Sequence, residues 1–194
     1  VQQRDIVASF PEFDPGHGDL MAYRHDLVVG TTALLHSASV AFAEHSVPGP
    51  EGAPDVRVIL FRPPGIGPNA PAILYIHGGG MIAGTPDMQA GMLERLASQV
   101  GALIVSVDYR LAPETPFPGG LEDAYAALAW LHARAAELGV DAGRIMVMGD
   151  SGGGCLAAAT ALLARDRGTI KLRAQVLIYP MLDLRTGGAD ALSD

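Results

Sequence analysis

Apolar positions along this chain fall into short strand-like runs separated by stretches with helical spacing. Val56 to Phe61 alternates with a period of two and stops at Pro63-Pro64, which reads as a strand. Residues 72–76 (Ala-Ile-Leu-Tyr-Ile) and 102–107 (Ala-Leu-Ile-Val-Ser-Val) are continuously apolar, as strands covered on both faces are. Ile145–Met148 is a shorter buried strand, and Val176–Tyr179 closes the series as another strand. Between them, helices are predicted from about Met88 to Val100, along Leu121, Ala124, Tyr125, Leu128, Leu131, Ala135 and Leu138, and over the Ala/Leu-rich stretch Cys155–Ala164. Residues 1–44 read as partly amphipathic helix, with Leu27, Leu34, Leu35 and Val40 among small residues. A turn cluster at 48–54 follows. Strands alternating with helices predict an α/β fold, a three-layer sandwich with a mostly parallel sheet. No repeat and no dividing linker is visible.

Two short segments carry candidate chemistry. Gly149-Asp150-Ser151-Gly152-Gly153 has the form G-x-S-x-G between a buried strand and a helix. A serine in such a sharp turn is held in a strained conformation with its hydroxyl projecting from the sheet, and the flanking glycines let strand and helix approach closely. The helix N-terminus favours negative charge developing nearby. His77-Gly78-Gly79-Gly80 directly follows another buried strand. A loop without side chains can turn backbone N–H groups onto a substrate oxygen, forming an oxyanion hole. Each segment alone is also compatible with a glycine-rich turn; together they point to acyl transfer.

Composition narrows the partners. A formal charge of -8 and the lack of a Lys/Arg cluster argue against nucleic acid and anionic membrane surfaces. A single cysteine, Cys155, allows no internal disulfide and fits a reducing compartment. It reads as a small buried hydrophobe rather than a catalytic thiol. No apolar run is long enough to span a bilayer. The first residues, Val-Gln-Gln-Arg-Asp, do not have the form of a secretory leader. No Cys, His and carboxylate spacing suggests a metal, so neither metal nor cofactor is expected. Trp130 and Tyr125 read as core or cap contacts, and His132 as part of a solvated helix face.

Four separated motifs, in order, resemble the hormone-sensitive-lipase family of esterases: His77–Gly80, Tyr109-Arg110-Leu111-Ala112-Pro113-Glu114, Gly149–Gly153, and Tyr179-Pro180 followed by Asp183. The resemblance covers about residues 45–185. Gly152 departs from it, since the family usually has Ala there. The resemblance implies an α/β-hydrolase sandwich, with 1–44 as N-terminal cap helices and 45–194 as a partial catalytic domain. It implies that Ser151 is the nucleophile and that Gly79, Gly80 and Gly152 donate the oxyanion N–H groups. His77, Gly78, Gly149, Asp150 and Gly153 would shape the site. Asp108, Arg110 and Glu114 would form one bracing network. Read from the residues themselves, Met81, which follows the glycine loop, and Met21 are candidates for lining an acyl pocket. The implied activity is cytoplasmic hydrolysis of short- or medium-chain carboxylic esters, small molecules that need no cofactor.

An α/β-hydrolase triad runs Ser, then Asp or Glu, then His. All six histidines here (His17, His25, His36, His45, His77 and His132) precede Ser151. Asp166, Asp183, Asp190 and Asp194 lie too early for the family's acid. The acid and base are therefore expected beyond this chain, whose sheet would be incomplete at its C-terminal side. The strand within 172–180 would then present an open apolar edge, compatible with a homo-oligomer. Three rivals remain. A dinucleotide-binding oxidoreductase would use Gly78, Gly80 and Gly84 with Asp108, but Thr85-Pro86 interrupts the entry to the helix. A chymotrypsin-type protease shares the serine motif but is all-β. A receptor-like binding protein on the same fold would lack the base, and the residue at the missing histidine's position would distinguish it.

Overall fold

The fold comes from a computed structural model, which describes residues 18–32 and 40–183. Helix α1 (Leu20–Thr32) is followed by strands β1 (Ala41–Val47), β2 (Val56–Arg62) and β3 (Ala70–Ile76). Then come a 3-10 turn (Pro86–Gln89), α2 (Ala90–Val100), β4 (Leu103–Asp108), α3 (Gly119–Ala133), β5 (Val140–Asp150), α4 (Ser151–Arg167) and β6 (Ala174–Ile178). The six strands form one sheet in the order β1-β2-β4-β3-β5-β6. The β4-β3-β5-β6 half is parallel, while β2 runs antiparallel to both its neighbours.

The period-two alternation sorts side chains to two faces. Val58, Leu60, Leu74, Val105 and Val147 pack beneath α3 and α4 with Leu128, Leu131 and Ala157. Ile59, Phe61, Ile73 and Ile104 pack on the opposite face against Ala90, Leu93 and Ala97 of α2. The sheet is thus buried between helical layers, which explains the unbroken apolar runs of β3 and β4.

The expected strands and the three central helices are present, with shifted bounds. The α2 helix is led in by the 3-10 turn instead of starting at Met88, β5 starts at Val140, and the Leu121 helix ends at Ala133. The helical reading of 1–44 holds over Leu20–Thr32 and fails at 41–44, which belong to β1. There the chain pairs with β2 along its whole length. Phe42 meets Phe61 edge-on at 5.9 Å, and Glu44 binds Arg57. Six of the seven β1 residues are exposed, so the strand has no apolar alternation to reveal it. Leu34, Leu35, His17, His36, Asp190 and Asp194 lie outside the described residues. Among the described residues, no helix is long and apolar enough to cross a membrane.

Candidate active site

In the parallel half of the sheet Ile76 is level with Val107 on one side and Gly149 on the other, and Asp150 is level with Ile178. The next residues of these four strands are Tyr109, His77, Ser151 and Tyr179. Register alone therefore brings the four separated motifs to one edge, the carboxyl ends of the strands, where open α/β sheets bind ligands.

Ser151 is the first residue of α4 and has φ 52, a left-handed conformation that serine rarely adopts. A Cβ on Gly149 would stand 2.3 Å from the carbonyl oxygen of Gly153, and one on Gly153 would stand 2.1 Å from that of Ile76. Both glycines are thus required by the close approach of α4 to β3 and β5. On the far side, Pro180 packs on Gly154, and Met181 donates its N–H to the Ser151 carbonyl at 3.2 Å.

The glycine loop meets this elbow. A Cβ on Gly152 would lie 3.0 Å from the Gly80 nitrogen and 3.1 Å from that of Met81. Gly79, Gly80 and Met81 all have positive φ, at 116, 62 and 65. Gly79 accepts the N–H groups of Ile82 and Ala83, which closes the turn. The N–H of Gly152 belongs to the first turn of α4, where amides have no intrahelical acceptor.

Asp150 joins the two segments. Its buried carboxylate accepts the Tyr75 hydroxyl at 2.5 Å and the Gly78 N–H at 3.2 Å. His77 is buried beneath, stacked on the Tyr109 ring at 4.3 Å. The Tyr109 hydroxyl donates to the His77 carbonyl at 2.9 Å. The Nδ1 of His77 lies 2.8 Å from the Gly78 carbonyl, which can only accept, so this nitrogen carries the proton. Burial holds the imidazole at about 4, well below its ordinary 6.5. His77 is therefore a neutral ring, bonded to the loop at Gly78. Burial also raises the Cys155 thiol, opposite to what a reactive thiolate needs.

Asp108, Arg110 and Glu114 do not form the single network expected of them. Asp108 pairs with Arg57, which also binds Asp87 and Glu44. Arg110 grips the fully buried Asp123 of α3 through Nε and Nη2. Glu114 takes a bidentate pair from Arg24 of α1. These partners sit far off in sequence, and no local spacing reveals them. Met81 lines a cavity of about 220 Å³ with Gly80, Tyr109, Phe117, Leu121 and Leu156. Met21 does not line it; it lies exposed on α1, with its sulfur 3.6 Å from Arg24. Tyr125 is a core residue, Trp130 contacts His45 of β1, and His132 is half-buried.

Comparison with known proteins shows the family of the fold. The family model described as the alpha/beta hydrolase fold matches residues 73–193. The chain is 45% identical over 154 residues to carboxylesterase NlhH of Mycobacterium tuberculosis, covering 76% of this chain and 48% of that protein. It is 43% identical over 129 residues to an ethyl acetate hydrolase of Pseudomonas putida, covering 65% and 41%. A solved bacterial heroin esterase superposes with a TM-score of 0.87 at 39% identity, covering 94% of this chain and 58% of that one. The chain spans about half the length of the curated relatives it matches. With this kinship the glycines at 78, 80 and 84 are not a dinucleotide fingerprint, and the protease reading falls with its all-β fold.

Proposed function

We propose that this chain, which belongs to the hormone-sensitive-lipase-like family of the α/β-hydrolase fold, carries the nucleophile and oxyanion hole of a serine carboxylic ester hydrolase. The observation that carries the reading is Ser151 at φ 52 with Gly152 set against the Gly80 and Met81 nitrogens. Ser151 Oγ attacks the ester carbonyl carbon. The carbonyl oxygen takes up the negative charge and receives N–H groups from Gly79, Gly80 and Gly152. Collapse of this intermediate expels the alcohol and leaves an acyl-Ser151 ester, which water then cleaves.

The proton taken from Ser151 needs a base. His77 is locked by its bond to Gly78 and its stack on Tyr109, and no histidine follows Ser151 in this sequence. The acid and base are therefore assigned to residues beyond the 194, which accords with a relative that this chain matches over only 48% of its length. The substrates proposed are short- and medium-chain esters held by Met81 and its cavity, whose about 220 Å³ suits a small group. Cytoplasmic action and self-association through β6, three of whose residues are exposed, belong to the same proposal.

Hydrolysis of p-nitrophenyl acetate, butyrate and palmitate by the complete protein, beside Ser151→Ala, tests this. Turnover of acetate and butyrate that the variant lacks supports it. Equal rates in both proteins, or a preference for palmitate, contradicts the mechanism or the substrate class respectively.

A further inference from the structure

We propose that Arg24, on α1, is a positioning residue for the oxyanion loop, holding the loop's trailing leg by a closed ring of hydrogen bonds. This rests on the esterase reading above. Arg24 Nε donates to the Ile82 carbonyl at 2.6 Å, and its Nη2 donates to the Ala112 carbonyl at 2.7 Å. The N–H of Ala112 in turn donates to the Met81 carbonyl at 2.9 Å. The circuit runs from Arg24 to Ile82, along the chain to Met81, across to Ala112 and back to Arg24.

The loop needs such an outside hold. Gly80 and Met81 are consecutive left-handed residues, and Met81 has a side chain that disfavours this conformation. Strained backbone persists only where its surroundings over-determine it. Asp150 fixes the leading leg at Gly78, and the Arg24 ring fixes the trailing leg. Gly79 and Gly80, the proposed donors, lie between the two holds. An arginine suits the task because one rigid planar fork supplies several donors at fixed angles. Glu114 binds the outer edge of the same fork, at 2.8 Å from Nη1 and 2.9 Å from Nη2.

The two halves of the contact differ in weight. The Arg24 side chain is 17% exposed, whereas that of Glu114 is 58% exposed. The ion pair is therefore solvent-screened and of small value, while the shielded carbonyl bonds do the positioning. Loss of the ion pair alone should leave the loop in place, and loss of the guanidinium should release it.

The test compares Arg24→Ala, Arg24→Lys and Glu114→Gln in the complete protein, with Ser151→Ala as control. Steady-state kinetics are read alongside hydrogen exchange of the peptide spanning 78–83. Arg24→Ala should lower kcat about tenfold with KM within about twofold, because oxyanion contacts act in the transition state. Arg24→Lys, which keeps the charge but not the fork, should fall between it and the parent. Both should speed exchange of the loop. Glu114→Gln should stay within about twofold of the parent in kcat and exchange. An unchanged kcat and exchange in Arg24→Ala, or an equal loss in Glu114→Gln, overturns the proposal. Activity surviving in Ser151→Ala would sink the esterase mechanism instead, and loop exchange would still decide the role of Arg24. If Arg24→Ala does not fold, the lysine variant decides both readouts.

Discussion

The Asp150 carboxylate accepts the backbone N–H of Gly78 at 3.2 Å, so the residue just before the proposed nucleophile holds the loop of the proposed oxyanion donors. The same oxygen takes the hydroxyl of Tyr75, a fully buried side chain. Truncating Asp150 strands the buried Tyr75 hydroxyl and unfastens the half-buried Gly78 N–H. Asp150→Ala is expected to cost about 2–4 kcal/mol, the usual penalty for orphaning buried polar groups. Asp150→Asn, which keeps one acceptor, should lose less. Denaturant unfolding of the three proteins checks this, and a loss under about 0.5 kcal/mol in Asp150→Ala would contradict it.

Stability should fall as the medium is acidified through the range set by His77. Its folded-state value of about 4 lies below the 6.5 of an unpaired imidazole, so the unfolded chain binds the proton more readily. The contribution is complete above about pH 6.5 and is lost as the pH falls toward 4. It amounts to about 3 kcal/mol in all, at 1.36 kcal/mol per unit. Unfolding free energy should therefore fall more steeply between pH 7 and pH 4 for the parent than for His77→Asn. Identical slopes would mean that His77 is not buried as a neutral ring.

Much of this was legible in the sequence because local rules govern it. The apolar runs of β3 and β4 are buried on both faces, and the elbow glycines sit where strand and helix crowd each other. What sequence reasoning missed depends on distant partners. Strand β1 shows its outer residues to solvent and is defined by pairing with β2. Asp123, apparently one more helix acid, is fully buried because Arg110 reaches it. Arg24 had no visible role until Ile82, Ala112 and Glu114 met around it. Met21 looked like a pocket residue from its type alone, but its helix turns it outward.

The two glycines after Ser151 should differ in tolerance. A methyl on Gly153 would strike the carbonyl oxygens of Ile76 and His77 at 2.1 and 2.3 Å, inside β3 and its first loop residue. A methyl on Gly152 meets loop atoms at 3.0–3.1 Å, a gap that shifts of a few tenths of an ångström relieve. Gly153→Ala is therefore expected to lose about 4 kcal/mol or more, or not to fold, and Gly152→Ala far less. Melting temperatures and soluble yield give the order, and a reversed order would contradict the elbow geometry.

Strain at the proposed nucleophile predicts a conflict between stability and activity. Alanine at 151 must keep the left-handed φ of 52, while glycine adopts it freely. Ser151→Gly should be about 1 kcal/mol more stable than Ser151→Ala, with both inactive. Equal stabilities would show that the backbone at 151 is not strained.

The central claim is that the Oγ of Ser151 is the atom acylated, and covalent trapping tests it most directly. The complete protein is treated with a p-nitrophenyl alkylphosphonate, digested, and searched by mass spectrometry for the phosphonylated residue. The account predicts one adduct, on Ser151 within the peptide Ile145–Arg165, formed in step with loss of ester hydrolysis and absent from Ser151→Ala. Inactivation with Ser151 unmodified, or with the adduct on another residue, would contradict it.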